Sequence, residues 1–443
     1  MSAPQRAVAI AVAALVIIGA GLLALAFADG RIGLGPEPSG TATPATSASA
    51  SAPASPEASE PASDEPSPSR EPADDDVLAQ IAEIESQVIE IRGLDAAEIE
   101  PPDLITRAEL GDELTRLFDE QYPPEDRERD NRVLRAFGLL GPDQDVAELQ
   151  LQLLGDQVLG FYDTVEERMV VVTDAGLDPA AKLTYAHEYT HALQDSTFEP
   201  EHFTVEGLED DDRQLAMTTL TEGDATVTML AWAFEHLTQE ELLEIGTGTE
   251  LPDTTGIPSW MVNQLQFPYS AGQLWIGSLA GDPLAPNFAE VDAVYDDPPV
   301  STEQVMHMDK WESREAPIPV VAPDLADILG DEWEVIDESP VGEASIGIFL
   351  EHFGIDRQLA MAAAAGWGGD RAAVAYGPDD EFALGWRLAW DTAEDATEFA
   401  DAYAAVVETL PFPAAVRTIG GTEVLVVHAS TDDLLKRVAD GAD

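Results

Sequence analysis

Apolar residues recur every three to four positions along much of the chain, and the polar positions between them are mostly acids. Ile81, Ile84, Val88 and Ile91 follow that spacing and predict an amphipathic helix starting near Val77. A second helical stretch covers about Leu104 to Glu120, and the proline pair in YPPEDR breaks it. Helical pieces follow around Asp130–Phe137 and Val146–Gln157. The segment GFYDTVEERMVVVTD, Gly160–Asp174, reads as a hairpin whose second arm is Met169–Thr173. Pro179–Asp195 and Asp212–His236 predict two more helices, the second one long. Gly, Pro and aromatic residues dominate Leu251–Pro319, which predicts loops with one helix near Ala271–Leu279.

The pattern then changes. Helical segments at Glu343–Phe353 and Arg357–Ala365 precede GWGGDR. Two runs with strand character, Arg371–Tyr376 and Phe382–Trp390, are joined by Gly377-Pro378-Asp379. A helix over Ala393–Thr409, a hairpin over Val416–His428 and a short last helix complete a compact α+β unit. The glycines of GWGGDR read as tight backbone geometry, and Asp370–Arg371 as a structural pair.

At the other end, Ala7–Ala28 is an uncharged apolar run, long enough as a helix to cross a bilayer core of about 30 Å. Arg6 precedes it and acids follow, a bias that leaves the N-terminus inside and the bulk outside. Its length favours a retained anchor; Ala26-Phe27-Ala28 is an acceptable cleavage site, and cleavage gives a secreted protein instead. Residues 29–76 are rich in Pro, Ala, Ser and Thr and read as an extended, disordered linker. The expected organisation is therefore a cytoplasmic tail (1–6), an anchor or signal (7–28), the linker (29–76), a mainly helical domain (77–318) and the α+β domain (319–443).

Composition narrows the chemistry. The chain has 443 residues, 45% of them hydrophobic, and no cysteine, so thiolate metal sites, disulfides and a Cys nucleophile are excluded. With 21 basic and 86 acidic residues the net charge is −65, which repels phosphate backbones and excludes nucleic acid as a partner. Such a surface fits either ordinary solvation or life in high salt. Any metal must be held by His, Asp or Glu.

The strongest chemical signal is His187-Glu188-Tyr189-Thr190-His191, inside a stretch without internal Gly or Pro. On a helix, positions i and i+4 share a face, so both imidazoles can reach one Zn²⁺. Glu188 lies beside them as a general base for water. With seven histidines in the chain, the pattern is expected by chance roughly 0.01 times. A catalytic zinc needs a third protein ligand. Glu222, in TTLTEGDATVTML, sits among apolar neighbours where an unpaired carboxylate is costly, and is the preferred candidate over His202 and His236. Gly223 and Ala225 permit close approach of this helix to the metal helix.

AHEYTHALQD followed by a helical TEGDA resembles the gluzincin metallopeptidases, the thermolysin-like group. That resemblance implies a zincin-like domain with a small edge sheet, two helices presenting His187, His191 and Glu222 to Zn²⁺, and a strand, here Met169–Thr173, aligning substrate backbone. The group places an Asp four residues after its Glu ligand to orient a histidine; here that position is Thr226, with Asp224 offset by two. The chain is more closely similar to uncharacterised exported bacterial HExxH proteins that share GFYD, TEGDA, FPYSAG, PPVSTEQVMH and GWGGDR. Tyr269 of FPYSAG and His307 of STEQVMH are the candidate donors to a developing oxyanion, against packing or capping roles for each. Glu303 and Gln304 are candidates to bind substrate or orient His307, or belong to a helix turn capped by Ser301 or Thr302.

The fold class expected is α+β. The expected function is a zinc-dependent peptide-bond hydrolase, acting on a peptide or protein substrate and displayed outside the cell membrane on an N-terminal helix. The alternative is a non-catalytic stalked binding protein that keeps a structural metal site.

Overall fold

The structure, a computed structural model, describes residues 75–155, 158–173, 176–198, 210–248 and 254–442. The expected anchor, nearly all of the expected linker and His202 lie outside the described residues. Among the described residues no helix is long and apolar enough to cross a membrane.

The class is α+β, with two small sheets among many helices. The N-terminal half opens with α1 (Asp75–Arg92), which starts two residues inside the expected linker and buries Val77, Ile81, Ile84 and Val88. A short strand β1 (Asp103–Ile105) precedes α2 (Arg107–Gln121), which begins at a capping box on Thr106. That strand occupies what the periodicity predicts as a helix start. The proline pair interrupts the helix for only two residues, because Pro124 serves as the first residue of α3 (Pro124–Phe137). After α4 (Val146–Gly155), the hairpin arms β2 (Gly160–Asp163) and β3 (Arg168–Val172) complete a three-stranded sheet in the order β1-β3-β2. β1 is parallel and β2 antiparallel to β3. The strand expected at the edge, Met169–Thr173, is therefore central, and β1 and β2 are the edges.

Three helices form the centre of this half. α5 (Pro179–Thr197) has Asp178 as N-cap and Pro179 at its first position. α6 (Asp211–His236) is capped by Asp210. After α7 (Gln239–Gly248) comes α8 (Ser259–Ala280), a 22-residue helix that runs through Pro268 where the composition predicts mostly loops. α8 packs along α6. They touch backbone to backbone: a Cβ on Gly223 would lie 2.6 Å from the Gly272 carbonyl carbon. The small residue at 223 thus admits α8, not the metal helix. Short helices α9 (Ala289–Asp296), α10 (Thr302–Met306), α11 (Met308–Ser313) and α12 (Leu325–Leu329) lead to the C-terminal unit.

That unit is a five-stranded antiparallel sheet, order β4-β5-β6-β8-β7. Its strands are β4 (Glu334–Ser339), β5 (Trp367–Tyr376), β6 (Phe382–Trp390), β7 (Ala414–Ile419) and β8 (Glu423–Ala429). β4 is unforeseen by the sequence pattern, and β5 begins at Trp367, four residues earlier than expected. Helices α13 (Glu343–His352), α14 (Arg357–Ala364) and α15 (Ala393–Val407) cover one face, where Ala372, Val374 and Tyr376 point. α12 and α16 (Asp432–Gly441) cover the other, where Ala373 and Ala375 point. Val133, Ala136 and Phe137 of α3 join the first of these cores, so the two halves share a packed seam.

Asp370 does not pair with Arg371. Its buried carboxylate accepts from the indoles of Trp367 (2.8 Å) and Trp386 (2.7 Å) and from the backbone of Val341 (2.8 Å) and Gly342 (3.0 Å). Arg371 turns to Glu338 at 2.7 Å. The alternation along β5 makes this necessary, because neighbouring residues on a strand face opposite sides.

Candidate metal centre

α5 is buried on nearly every side from Ala181 to Gln194, so its histidines face protein rather than water. His187 and His191 fall on one face, one turn apart. α6 crosses them and brings Glu222 to the same point. His187 Nε2 and His191 Nε2 are 2.9 Å apart, and Glu222 Oε2 lies 3.1 Å from the first and 3.4 Å from the second. Two donors at ~2.0–2.1 Å from a tetrahedral Zn²⁺ stand about 3.3 Å apart, so these spacings suit a single small ion. Two imidazoles and one carboxylate are the donor chemistry of a transition-metal ion such as zinc or iron rather than of Ca²⁺ or Mg²⁺. His187, His191 and Glu222 form one of two groups among the described residues with metal-ligand proximity. The other, Glu303, Glu315 and Asp391, already surrounds the ammonium of Lys310 at 2.5–3.1 Å.

The electrostatics favour positive charge between the three atoms. Burial works to raise the Glu222 carboxyl, but the charge on His191 and the hydrogen bonds from both imidazoles hold it down at about 2. Burial also works against a charged His191, and the Glu222 charge outweighs it, lifting the imidazole to about 9. Burial dominates at His187 and lowers it to about 4.

Glu188 is 1% exposed. One of its oxygens, Oε2, accepts the backbone N–H of Tyr162 at 3.0 Å, so the edge strand β2 fixes the carboxyl in place. The other, Oε1, has no hydrogen-bond partner. Burial pushes this carboxyl up to about 8. The carboxyl is thus buried and pinned, with one oxygen unpartnered and electrostatically coupled to His191 and Glu222.

The remaining sequence candidates separate. Tyr269 is brought in: it is buried on α8, its ring centroid is 6.2 Å from that of His187, and its hydroxyl hydrogen-bonds Glu222. The Gly223–Gly272 crossing explains this, since Gly223 follows Glu222 and Gly272 is one turn beyond Tyr269. His307 is not brought in. Its Nε2 pairs with Glu343 at 2.7 Å, and the residue links α10 to α11. Ser301 caps α10 and Gln304 binds backbone at Val300 and Glu315, so that segment does structural work. His236 ends α6, 14 residues and about 21 Å of helix beyond Glu222. Tyr185 donates to Glu85 at 2.6 Å, and Asp163 caps the hairpin turn at Val165 and Glu166.

The residues behind the ligands are those the sequence reading does not identify. His191 Nδ1 meets Gln194 Oε1 at 2.9 Å. Gln194 Nε2 donates to Asp224 Oδ2 at 3.0 Å, and Asp224 also accepts from Arg92 and from Tyr295. The group behind His191 is thus a glutamine three residues after it. Spacing held the clue, since Gln194 is at i+3 from His191 and i+7 from His187, on the ligand face.

Comparison with known proteins reaches only the C-terminal unit. Residues 333–439 match a family described as a domain of unknown function (DUF8575). No curated protein and no solved structure matches the chain.

Proposed function

We propose that the chain is a zinc-dependent peptide-bond hydrolase of the metalloendopeptidase type, held at the outer face of the cell membrane by its N-terminal apolar segment. The observation that carries this reading is Glu188: a buried carboxyl anchored by one oxygen to β2, with the other oxygen unpartnered beside His187, His191 and Glu222. A purely structural metal site has no use for such a group. His187, His191 and Glu222 would hold a Zn²⁺, which would supply Lewis acidity at a scissile carbonyl and at water. Glu188 accepts the proton of the attacking water and returns it to the leaving amine nitrogen. Tyr269 holds the Glu222 carboxylate through its hydroxyl. The substrate-aligning edge that the gluzincin resemblance implies falls to β2, whose Tyr162 N–H already reaches Glu188.

Burial bears on the substrate. His191 keeps 8% exposure while His187, Glu188 and Glu222 keep 2% or less, so the site suits an extended, unfolded chain more than a folded surface. The outward location is supported by the uncharged run 7–28 with Arg6 before it and acids after it.

The test is zinc content together with cleavage of casein and of quenched fluorescent peptides by detergent-solubilised full-length protein, wild type against Glu188→Gln. The expected result is one zinc in each and a loss of roughly 10²–10⁴ in rate in the variant. Zinc without cleavage, or cleavage indifferent to Glu188, overturns the proposal and leaves a tethered binding protein.

A further inference from the structure

We infer that Arg92, the last residue of α1, is a positioning residue of the metal centre, acting through Asp224 and Gln194 to fix the tautomer of His191. The inference rests on reading His187, His191 and Glu222 as metal ligands, and it adds an N-terminal helix to the machinery of that site.

The contacts run outward from the imidazole. To ligate through Nε2, a neutral histidine must carry its proton on Nδ1, and something must accept that proton. Gln194 Oε1 stands 2.9 Å from His191 Nδ1. A glutamine amide can flip, and in the flipped state its NH₂ would face Nδ1 and favour the wrong tautomer. The flip is blocked from behind. Gln194 Nε2 faces Thr221 O at 3.1 Å and Asp224 Oδ2 at 3.0 Å, and both are acceptors only. The amide nitrogen must therefore point to them and the amide oxygen to His191.

Asp224 has this effect only as a carboxylate, and it is 0% exposed. An ionised carboxylate there needs a counter-charge. Arg92 supplies it as a bidentate fork, Nε at 2.8 Å from Oδ1 and Nη2 at 3.1 Å from Oδ2, and Tyr295 adds its hydroxyl at 2.7 Å. Arg92 is itself 1% exposed, with Nη1 2.7 Å from Asp292 and its guanidinium 4.6 Å from the Phe288 ring centroid. It is therefore clamped between α6 and α9. His187 has no matching support, since its Nδ1 lacks a partner. All the orienting hydrogen bonds of the ligand pair converge on His191, so disrupting them acts on one ligand of three.

The test measures Zn²⁺ affinity of the full-length protein by competition with a chromophoric chelator, and the visible spectrum of the Co²⁺-substituted form. The variants are Gln194→Met, Asp224→Asn, Arg92→Lys and the double variant Gln194→Met/Asp224→Asn. Gln194→Met and Asp224→Asn are each expected to weaken zinc binding roughly 10–100-fold and to change the cobalt spectrum. Arg92→Lys keeps the charge without the fork and is expected to weaken it less, with Arg92→Met as its stronger counterpart. Because the residues act in series, the double variant should lose no more than the worse single one; independent roles would multiply the losses. Phe399→Leu, in the C-terminal core, should lower the melting temperature and leave zinc affinity unchanged. Wild-type affinity and an unaltered spectrum in folded Gln194→Met or Arg92→Lys overturn the inference while the hydrolase reading stands. Graded zinc affinities with no peptide cleavage overturn the hydrolase reading alone, and a wild type that binds no zinc overturns both.

Discussion

The crossing of α6 and α8 gives a prediction with a sign. In a helix interior, replacing Gly by Ala ordinarily stabilises by about 1 kcal/mol, because Ala has less backbone freedom to lose. Gly277 of α8 offers that ordinary case, for a Cβ there would have nothing within 4 Å. Gly272, in the same helix, offers the opposite one. A Cβ on Gly272 would lie 2.5 Å from Thr219 O and 2.7 Å from Gly223 Cα, and both are backbone atoms that cannot rotate away. Ordinary contact needs about 3.5 Å, so the helices must part by about 1 Å. Overpacking of this kind costs about 1–3 kcal/mol and occasionally more. The displacement also stretches the Tyr269 hydrogen bond to buried Glu222, worth another ~1–3 kcal/mol if lost. After the propensity gain, Gly272→Ala should be destabilised by about 1–5 kcal/mol. At about 2–4 °C per kcal/mol, that is a melting temperature lower by roughly 2–20 °C. Gly277→Ala should instead melt about 1–4 °C higher. Differential scanning calorimetry of wild type and the two variants reads both signs. A Gly272→Ala protein that melts at or above wild type would show that the backbones do not touch, and the placement of Tyr269 against Glu222 would lose its explanation.

Two further predictions concern the C-terminal unit. His428 is fully buried, meeting Tyr403 Oη at 2.8 Å and, through Nδ1, the Ala136 carbonyl at 2.8 Å, and burial lowers its pKa from 6.5 to about 4. The unfolded chain takes up this proton below pH 6.5 and the folded one only near pH 4. The neutral imidazole therefore contributes fully above pH 6.5, and stability falls by up to about 3 kcal/mol between pH 6.5 and 4. Urea denaturation across that window should show a shallower slope in His428→Gln, and identical slopes would refute it. Asp370 faces four donors and no acceptor, so although burial raises its pKa only the carboxylate fits the site. Asp370→Asn turns an NH₂ towards at least one of those donors and should cost about 3–5 kcal/mol by chemical denaturation; a cost below 1 kcal/mol would show that the four bonds are not acting together.

Hydrophobic spacing exposed the helices that keep one wet face, and continuous apolar runs exposed the strands buried on both faces. α1 buries Val77, Ile81, Ile84 and Val88 and leaves acids outside, so its period is visible. The C-terminal strands divide their residues between two cores, as at 372, 374, 376 against 373 and 375, and they were visible too. β1 has three residues and β4 is mostly exposed, too short or too wet to show a period. The helix expected near Ala271–Leu279 is the second half of α8; its first half was hidden because Pro268 reads as a breaker, yet Pro268 removes a single N–H and the helix runs through it.

The candidate site divides along the same line between local and distant information. His187, Glu188 and His191 lie within five residues, and one helical turn settles their geometry. Glu222 was reached by a burial argument, because an acid amid apolar neighbours must have a partner. Arg92 and Asp224 are 132 residues apart, and Asp224 and Tyr295 are 71 apart; no spacing rule links them, since their meeting depends on how α1, α6 and α9 stack. Tyr269 and His307 looked alike for that reason, both polar side chains in unpatterned sequence. The feature that distinguishes them is glycine: Gly223 beside Glu222 and Gly272 one turn past Tyr269 are the only way two helix backbones can approach so closely. His307 has no such pair and meets Glu343 instead. A small residue next to a buried acid thus marks where another helix arrives, and the polar side chain one turn from the matching glycine is the one delivered to the acid.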